Sequence, residues 1–404
     1  MSIFVIDGKD IHTYQDLLDN VNKKTTYAPE FQGKGLFSFF SNLITALAGD
    51  CPLTLVDSDF SIKELESFGL QSVNKEKQVV KPYFTDFDTL LDKLRNSTST
   101  ISIFTSGTTG QPKIVSHTYS TLSRAVRTGK NFQDNVWGFA YNPTHMAGLQ
   151  VFFQAIENEN AIINIFNCQR SKVYEAIDIN GITHISATPT FYRLLLPFER
   201  RHESVVRVTI GGEKSEEKLY HSISKIFPNA KITNVYASTE AGTLFASKGS
   251  TFQIPSDMCD KFKVIDNELF IHTSLLGKSD KLTFEDDFYP SGDLIEWINP
   301  EERIFRFKSR KNELINVGGY KVNPQEVEEA IRMISGILDT RVFGKTNSVL
   351  GNVLCADVVK EPSARISEIE IRGILRSILQ DFKIPRRIKF VESITVTRTG
   401  KMKR

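Results

Sequence analysis

Between Ile101 and His117 the chain reads ISIFTSGTTGQPKIVSH, two apolar runs flanking a stretch of hydroxyl and glycine residues from Thr105 to Gly110. Ile101, Ile103 and Phe104 on one side and Ile114 and Val115 on the other predict a strand, a polar loop and a second strand. Loops rich in Ser, Thr and Gly are common, because these residues tolerate unusual backbone angles and hydrogen-bond their own main chain. This loop carries more than that. Gly107 and Gly110 lie three apart, the hydroxyls of Thr105, Ser106, Thr108 and Thr109 surround them, and Lys113 follows three residues on. Approachable backbone N–H groups, side-chain donors and one point charge are the components of a phosphate cradle. A Walker A loop requires G-x-x-x-x-G-K-[ST] opening a helix, whereas here the spacing is G-x-x-G-x-x-K and Pro112 precedes the lysine. A nucleotide held by this loop is therefore held by another fold, and a P-loop NTPase is disfavoured.

At 404 residues the chain exceeds one ordinary core and divides into a large domain and a smaller one. LFSFFSNLITALAGD, Leu36 to Asp50, is helical in period and closes at Gly49, and PLTLVDSDF behind it is strand-like and leads to Asp57. The alternation continues through KITNVYASTEAG, which predicts an α/β sheet domain without internal repeats. A second unit begins late. A strand ending near Phe307 gives way to a charged segment and a Gly318-Gly319 turn; then Asn323, Pro324 and Glu326 supply an N-cap, a first-turn proline and a capping-box glutamate. Val327, Ala330, Ile331 and Ile334 follow at i, i+3, i+4 and i+7, one apolar helix face. The expected division is an N-terminal domain over residues 1–309 and a small α+β domain over 310–404.

The 50 basic and 48 acidic residues nearly cancel to +2, so charge makes no case for nucleic acid or an anionic membrane as partner. Cys51, Cys168, Cys259 and Cys355 form no C-x-x-C pair, which argues against zinc and for buried thiols in a reducing compartment. MSIFVIDGKD at the start has early charges and no apolar run of signal length, and nowhere do about 18 apolar residues follow one another. A cytoplasmic protein is expected.

Three further segments are unremarkable singly. Glu240 in NVYASTEAG reads as a solvated loop acid, Asp293 in YPSGDLIEW as a turn residue, and Gly400-Lys401 in ITVTRTGKMKR as a basic tail. Their order is informative. TSGTTGQPK, VYASTEAG, SGDL, SRKNELINVGGYKVNPQEVEEAI and TRTGKMKR, in that sequence, resemble the acyl-adenylate-forming superfamily of acyl- and aryl-CoA ligases, peptide-synthetase adenylation domains and luciferases. The resemblance covers Ile101 to the C-terminus.

The resemblance implies the family's fold, a large sheet-and-helix domain with a small mobile C-terminal domain, and roles for particular residues. Thr105, Ser106, Gly107, Thr108, Thr109, Gly110 and Lys113 match the loop that holds the β- and γ-phosphates of ATP, where donors suit oxygens whose charge grows as pyrophosphate leaves. Thr239 and Glu240 match the pair at the α-phosphate and Mg²⁺, a hard cation that takes oxygen ligands and keeps waters. Gly211, Gly212, Glu213 and Tyr236 match the adenine walls, and Asp293 and Arg310 the ribose contacts. Lys401 matches the lysine bridging carboxylate and nucleotide in the first half-reaction. In the family the small domain then swings, so that Gly318 to Val322 reach the site for thiolation, and closure keeps water from the labile anhydride. The hinge position is Asn312 where Asp or Lys is usual, Thr395 stands where a proline is common, and the roughly 100 residues ahead of the phosphate loop imply a reduced N-terminal lobe.

YNPTHMAGLQ, Tyr141 to Gln150, matches the element that CoA ligases carry where amino-acid-activating domains have an aspartate, and no acid occurs between Tyr141 and Ile156. An α-amino acid is thus a weak candidate substrate, and His145 is placed at the acyl or thiol channel. Phe191 and Tyr192 precede the acyl pocket but could equally be core. The resemblance therefore implies an ATP- and Mg²⁺-dependent ligase joining a small carboxylic acid to coenzyme A, similar in compactness to o-succinylbenzoate–CoA ligases. An adenylating enzyme loading a carrier protein's phosphopantetheine arm and a non-catalytic AMP-binding protein remain open.

Overall fold

The computed structural model describes residues 2–33, 35–58, 60–105, 113–317, 320–347, 351–396 and 402. Its centre is an eight-stranded sheet ordered Gly242–Ser247, Lys231–Ser238, Arg207–Gly211, His184–Ala187, Val136–Phe139, Ala161–Asn164, Ile3–Asp7 and Asp10–Thr13. The six inner strands are parallel and only the two edges run antiparallel. Parallel strands need helices over both faces, because their crossovers lie there. Ile162 and Ile163 show that both faces are covered. They are successive residues of one strand, point to opposite faces, and are 0 and 3% exposed, in two different hydrophobic cores. The first core also holds Phe40 and Phe152, from helices Leu36–Ala48 and Met146–Ile156; the second holds Tyr174 and Leu219, from Arg170–Asn180 and Glu217–Ile226.

The expected helix in Leu36 to Asp50 runs Leu36–Ala48 with Gly49 as its C-cap, and Leu53–Leu55 is a strand. That strand belongs to a smaller sheet ordered Glu30–Phe31, Leu53–Leu55, Ile101–Thr105 and Lys113–His117. Its last two strands are antiparallel with Thr105 opposite Lys113, so the strands flanking the hydroxyl- and glycine-rich segment form as expected. A five-stranded antiparallel sheet follows, in which Phe288–Asn299 pairs with Ile304–Arg310.

The small C-terminal unit carries Ile315–Val317, Tyr320–Val322, Ile337–Asn347, Gly351–Lys360 and Arg387–Phe390 in one sheet, packed on helices Pro324–Arg332 and Glu368–Arg376 through its own core of Val322, Val327, Ile331 and Leu354. Asn323 caps the first of these helices and Pro324 opens it, but the expected capping box does not form. Asn323 accepts from Gln325 N at 3.1 Å, while the Glu326 carboxylate turns to Lys383 Nζ at 2.7 Å. Nor are the cysteines uniformly buried: Cys355 is, Cys168 is exposed, and all four are free. Among the described residues no helix is long and apolar enough to cross a membrane.

Candidate active site

In parallel sheets ligands sit in the crevice beyond the carboxyl ends of the strands, where loops diverge and backbone N–H groups are open. Four inner strands of the large sheet end in predicted residues or their neighbours. Val136–Phe139 leads to Asn142 and His145, His184–Ala187 to Thr190, Arg207–Gly211 to Gly212 and Glu213, and Lys231–Ser238 to Thr239 and Glu240. The small sheet ends the same way, at Asp57 after Leu53–Leu55 and at Thr105, the last residue of Ile101–Thr105. One cavity of about 500 Å³, within the usual size for a small-molecule site, is lined by Lys113, His145, Gly211, Gly212, Tyr236, Thr239, Glu240, Asp293 and Arg310 together. Thr105 is described at its backbone only, as is Asn312; Ser106, Gly107, Thr108, Thr109, Gly110 and Lys401 lie outside the described residues.

Asp293 is no turn residue. It lies within the strand Phe288–Asn299, directly opposite Arg310, and is 4% exposed. Tyr236 Oη donates to its Oδ2 at 2.5 Å and Arg310 Nε to its Oδ1 at 2.7 Å. The carboxylate, next to the Arg310 guanidinium, raises that group's pKa further, so the arginine stays charged. Burial, then the Asp293 charge, pushes the Tyr236 phenol well above its ordinary value, so it remains a donor. Tyr236 in turn lies flat on Phe307, ring centroids 4.1 Å apart. The result is a rigid aromatic plate with a fixed carboxylate at its edge.

The Thr239-Glu240-Ala241 segment is held by its carbonyls. Thr239 O accepts from His117 Nε2 at 2.9 Å, Glu240 O from Gly277 N at 2.7 Å, and Ala241 O from Arg124 Nη2. A carbonyl only accepts, so Nε2 of His117 carries the proton and Nδ1, 3.4 Å from Thr121 Oγ1, is the unprotonated nitrogen. Burial, partly offset by this bond, lowers the His117 pKa to about 4. The glutamate side chain stays uncommitted: among the described residues its carboxylate joins no hydrogen bond or ion pair. Its charge, after burial, helps push the Tyr289 phenol up to about 12.

His145 caps the helix Met146–Ile156 at the cavity, with Nε2 donating to Asp57 Oδ2 at 3.0 Å, while Asn142 Nδ2 donates to Asp57 Oδ1 at 2.5 Å. Asp57 is 3% exposed; the sequence shows its place just after a strand but no local motif that marks it as a partner of His145. Gly148 explains itself here: a Cβ on it would lie 2.4 Å from Asn142 O, so the helix can press against the turn carrying His145 only without a side chain. Tyr192 is core, fully buried with Oη on the carbonyls of Ile185 and Thr209.

Two family models match the chain. That described as AMP-binding enzyme covers residues 49–265, and that described as AMP-binding enzyme C-terminal domain covers 326–401. The 2-succinylbenzoate–CoA ligase of Listeria monocytogenes is 25% identical over 342 residues, which are 79% of this chain and 72% of that protein. The enzyme of the same name from Staphylococcus aureus is 24% identical over 328 residues, 75% of this chain and 65% of that one. The solved o-succinylbenzoate CoA synthetase of Bacillus subtilis in complex with its acyl-adenylate intermediate superposes with a TM-score of 0.73 over 99% of this chain and 94% of that one, at 18% identity. The fold is thus that of the adenylate-forming enzymes, and by the match over more than half of its length the chain belongs to the AMP-binding enzyme family.

Proposed function

We propose that the protein activates a carboxylic acid with ATP and transfers the acyl group to the thiol of coenzyme A. The observation that carries this reading is the single cavity in which Lys113, Thr239, Glu240, Tyr236, Asp293 and Arg310 converge, with the ribose-type carboxylate already fixed by two donors. The same cavity is also lined by Val126, Phe132, Trp137 and Val151, whose apolar surface suits an aryl or acyl body. Relatives named 2-succinylbenzoate–CoA ligase favour an aromatic acid and coenzyme A over a carrier protein. We divide the chain into domains 1–309 and 310–404, with Asn312 at the hinge, and place it in the cytoplasm, where ATP and coenzyme A are at hand.

In the first step a carboxylate oxygen of the substrate attacks the α-phosphorus of ATP. The bond to the bridging oxygen breaks and pyrophosphate departs with the electron pair. Lys113 and the hydroxyl loop bind its phosphates, and Lys401 neutralises the approach of two anions. The plate of Tyr236 on Phe307 receives adenine, and Asp293 accepts from the ribose hydroxyls. Glu240, uncommitted and on a clamped backbone, fits Mg²⁺, which binds through one or two carboxylates plus phosphates, whereas among the described residues no cluster of three His, Cys, Asp or Glu exists for a protein-caged metal. When bound, the ion neutralises phosphate charge. In the second step the thiol sulfur attacks the acyl carbon, the carbon–oxygen bond to AMP breaks, AMP leaves with the pair and the thiol proton is lost. His145, oriented by Asp57, stands at the cavity wall where the acyl group and thiol meet.

The test is acid-dependent exchange of labelled pyrophosphate into ATP across aryl, succinylated-aryl, short and medium acyl, and amino acids. Exchange with one class establishes adenylation, and coenzyme A against a phosphopantetheinylated carrier then identifies the thiol. AMP binding without exchange for any acid would refute the ligase reading.

A further inference from the structure

Glu213 lines the cleft between the two units, after Gly212 turns the chain with φ of +83°, and its carboxylate is bonded to protein on both oxygens. Oε2 accepts from Thr190 Oγ1 at 2.6 Å and Thr190 N at 3.1 Å, in the first turn of the helix Pro189–Leu194. Oε1 accepts from the backbone N–H of Met402 at 2.6 Å. Met402 is 6% exposed and is the residue after Lys401. One carboxylate thus joins the strand end of the large domain to the C-terminal segment that bears the lysine, across 189 positions of sequence.

The surrounding contacts show that the small unit is docked on this same edge. Lys214, next to Glu213, pairs with Glu329 at 2.7 Å, and Lys218 donates to the carbonyls of Arg332 and Ile337. Arg193 bonds Glu216 at 2.7 Å and approaches Asp339 Oδ1 at 3.8 Å, and Arg332 Nε donates to that same oxygen at 2.9 Å. These contacts hold the body of the small unit. Glu213 alone among the groups named here reaches the tail itself.

We propose that Glu213 is a positioning residue for the first half-reaction: its carboxylate holds the backbone at Met402, the residue after Lys401, and this latch must open before thiolation. The inference rests on the two-step ligase reading. Thr190 supplies two donors to one oxygen and so fixes the carboxylate in the large domain, which leaves the other oxygen as a preset acceptor for the incoming tail. No side chain of the tail takes part in the bond. The latch therefore reads the backbone position of the segment, which is what placing the neighbouring lysine requires.

The experiment compares Glu213→Ala with the wild type in both half-reactions, using whichever acid supports exchange. Pyrophosphate–ATP exchange reports adenylation. Conversion of the separately prepared acyl-adenylate to thioester by the enzyme and coenzyme A reports thiolation. The expected result is an exchange rate lower by about tenfold, the low end of what one hydrogen bond to a charged group supplies, with thiolation changed by much less. Thermal unfolding checks that the variant folds; if it does not, Glu213→Gln, of equal volume, carries the same comparison with a smaller split. Equal losses in both half-reactions by a folded variant, or no loss in either, would overturn the latch. Absence of exchange in the wild type would overturn the ligase reading instead, so the two failures are separable.

Discussion

His117 is a buried neutral base on which the geometry of the Thr239–Glu240 segment depends, and replacing it tests that arrangement through pH. The ring is 2% exposed, donates from Nε2 to Thr239 O, and is held by burial to a pKa of about 4. In the unfolded chain a histidine titrates near 6.5. The folded pKa is the lower one, so the unfolded state binds a proton that the folded state refuses throughout that window. The associated stability is present above pH 6.5 and is lost as pH falls toward 4. At roughly 1.36 kcal/mol per pH unit for one proton, the full loss is about 3 kcal/mol, a large part of the roughly 5–15 kcal/mol that holds a typical protein folded. His184, whose pKa burial and then Arg207 also lower to about 4, adds a loss of the same sign, so the wild type alone cannot isolate His117. His117→Gln can, because the glutamine amide can still donate to Thr239 O but does not titrate. Urea unfolding at intervals from pH 7.5 to 4.5 should show the variant less stable at neutral pH by about 1 kcal/mol, yet losing less on acidification, so that the two curves cross and the variant is the more stable at the acid end. Parallel curves would mean that the ring is not excluded from protonation in the fold, and would refute the assignment.

Three further outcomes follow from the same geometry. Asp293→Asn leaves the Arg310 charge without its carboxylate and weakens the ribose acceptor, and should raise the KM for ATP by about tenfold or more, as loss of a hydrogen bond to a charged group does; an unchanged KM would remove Asp293 from the nucleotide site. Gly148→Ala places a methyl group 2.4 Å from Asn142 O and should destabilise the protein by about 1–3 kcal/mol, read as a lower Tm, with thioester formation impaired because the turn bearing His145 must shift. Asp57→Asn removes the charge that orients His145, and single-turnover thioester formation should fall by about tenfold, the effect typical of losing such an orienting partner, while acid-dependent exchange falls less. Equal loss in both steps would place the pair outside the thiol side of the site.

The candidate residues that share the described cavity, among them Lys113, Thr239, Glu240 and Asp293, are legible in the sequence because they are carried in short segments whose order is itself a signature. TSGTTGQPK, STE, SGD and the terminal GK are each compact, and the strands around the first of them follow from alternating apolar residues. What stayed hidden are partners from distant segments. The 88 positions between Asp57 and His145 and the 57 between Tyr236 and Asp293 are closed by the order of strands in two different sheets, which periodicity does not encode. Taken singly, SGD suggests a turn because a glycine precedes the aspartate, yet the strand continues through Gly292 at φ of +75° and presents Asp293 to Arg310. The spacing of Glu326 from Asn323 predicts a capping-box acid, yet Lys383 offers an ion pair from another element, a competitor that local spacing does not weigh.

The amino-acid sequence by itself determined the elements, the division into a large and a small unit, and the residue types available for phosphate, ribose and carboxylate chemistry, since caps, apolar periods and short motifs act within a few residues of one another. Only the tertiary structure decided which of those groups meet. It gave Asp293 to both Tyr236 and Arg310, joined His145 to Asp57, and turned Glu213 toward Thr190 and the tail at Met402. The physical reason is that a buried carboxylate must find donors wherever the packing of distant strands brings them, and that packing is a property of the whole chain.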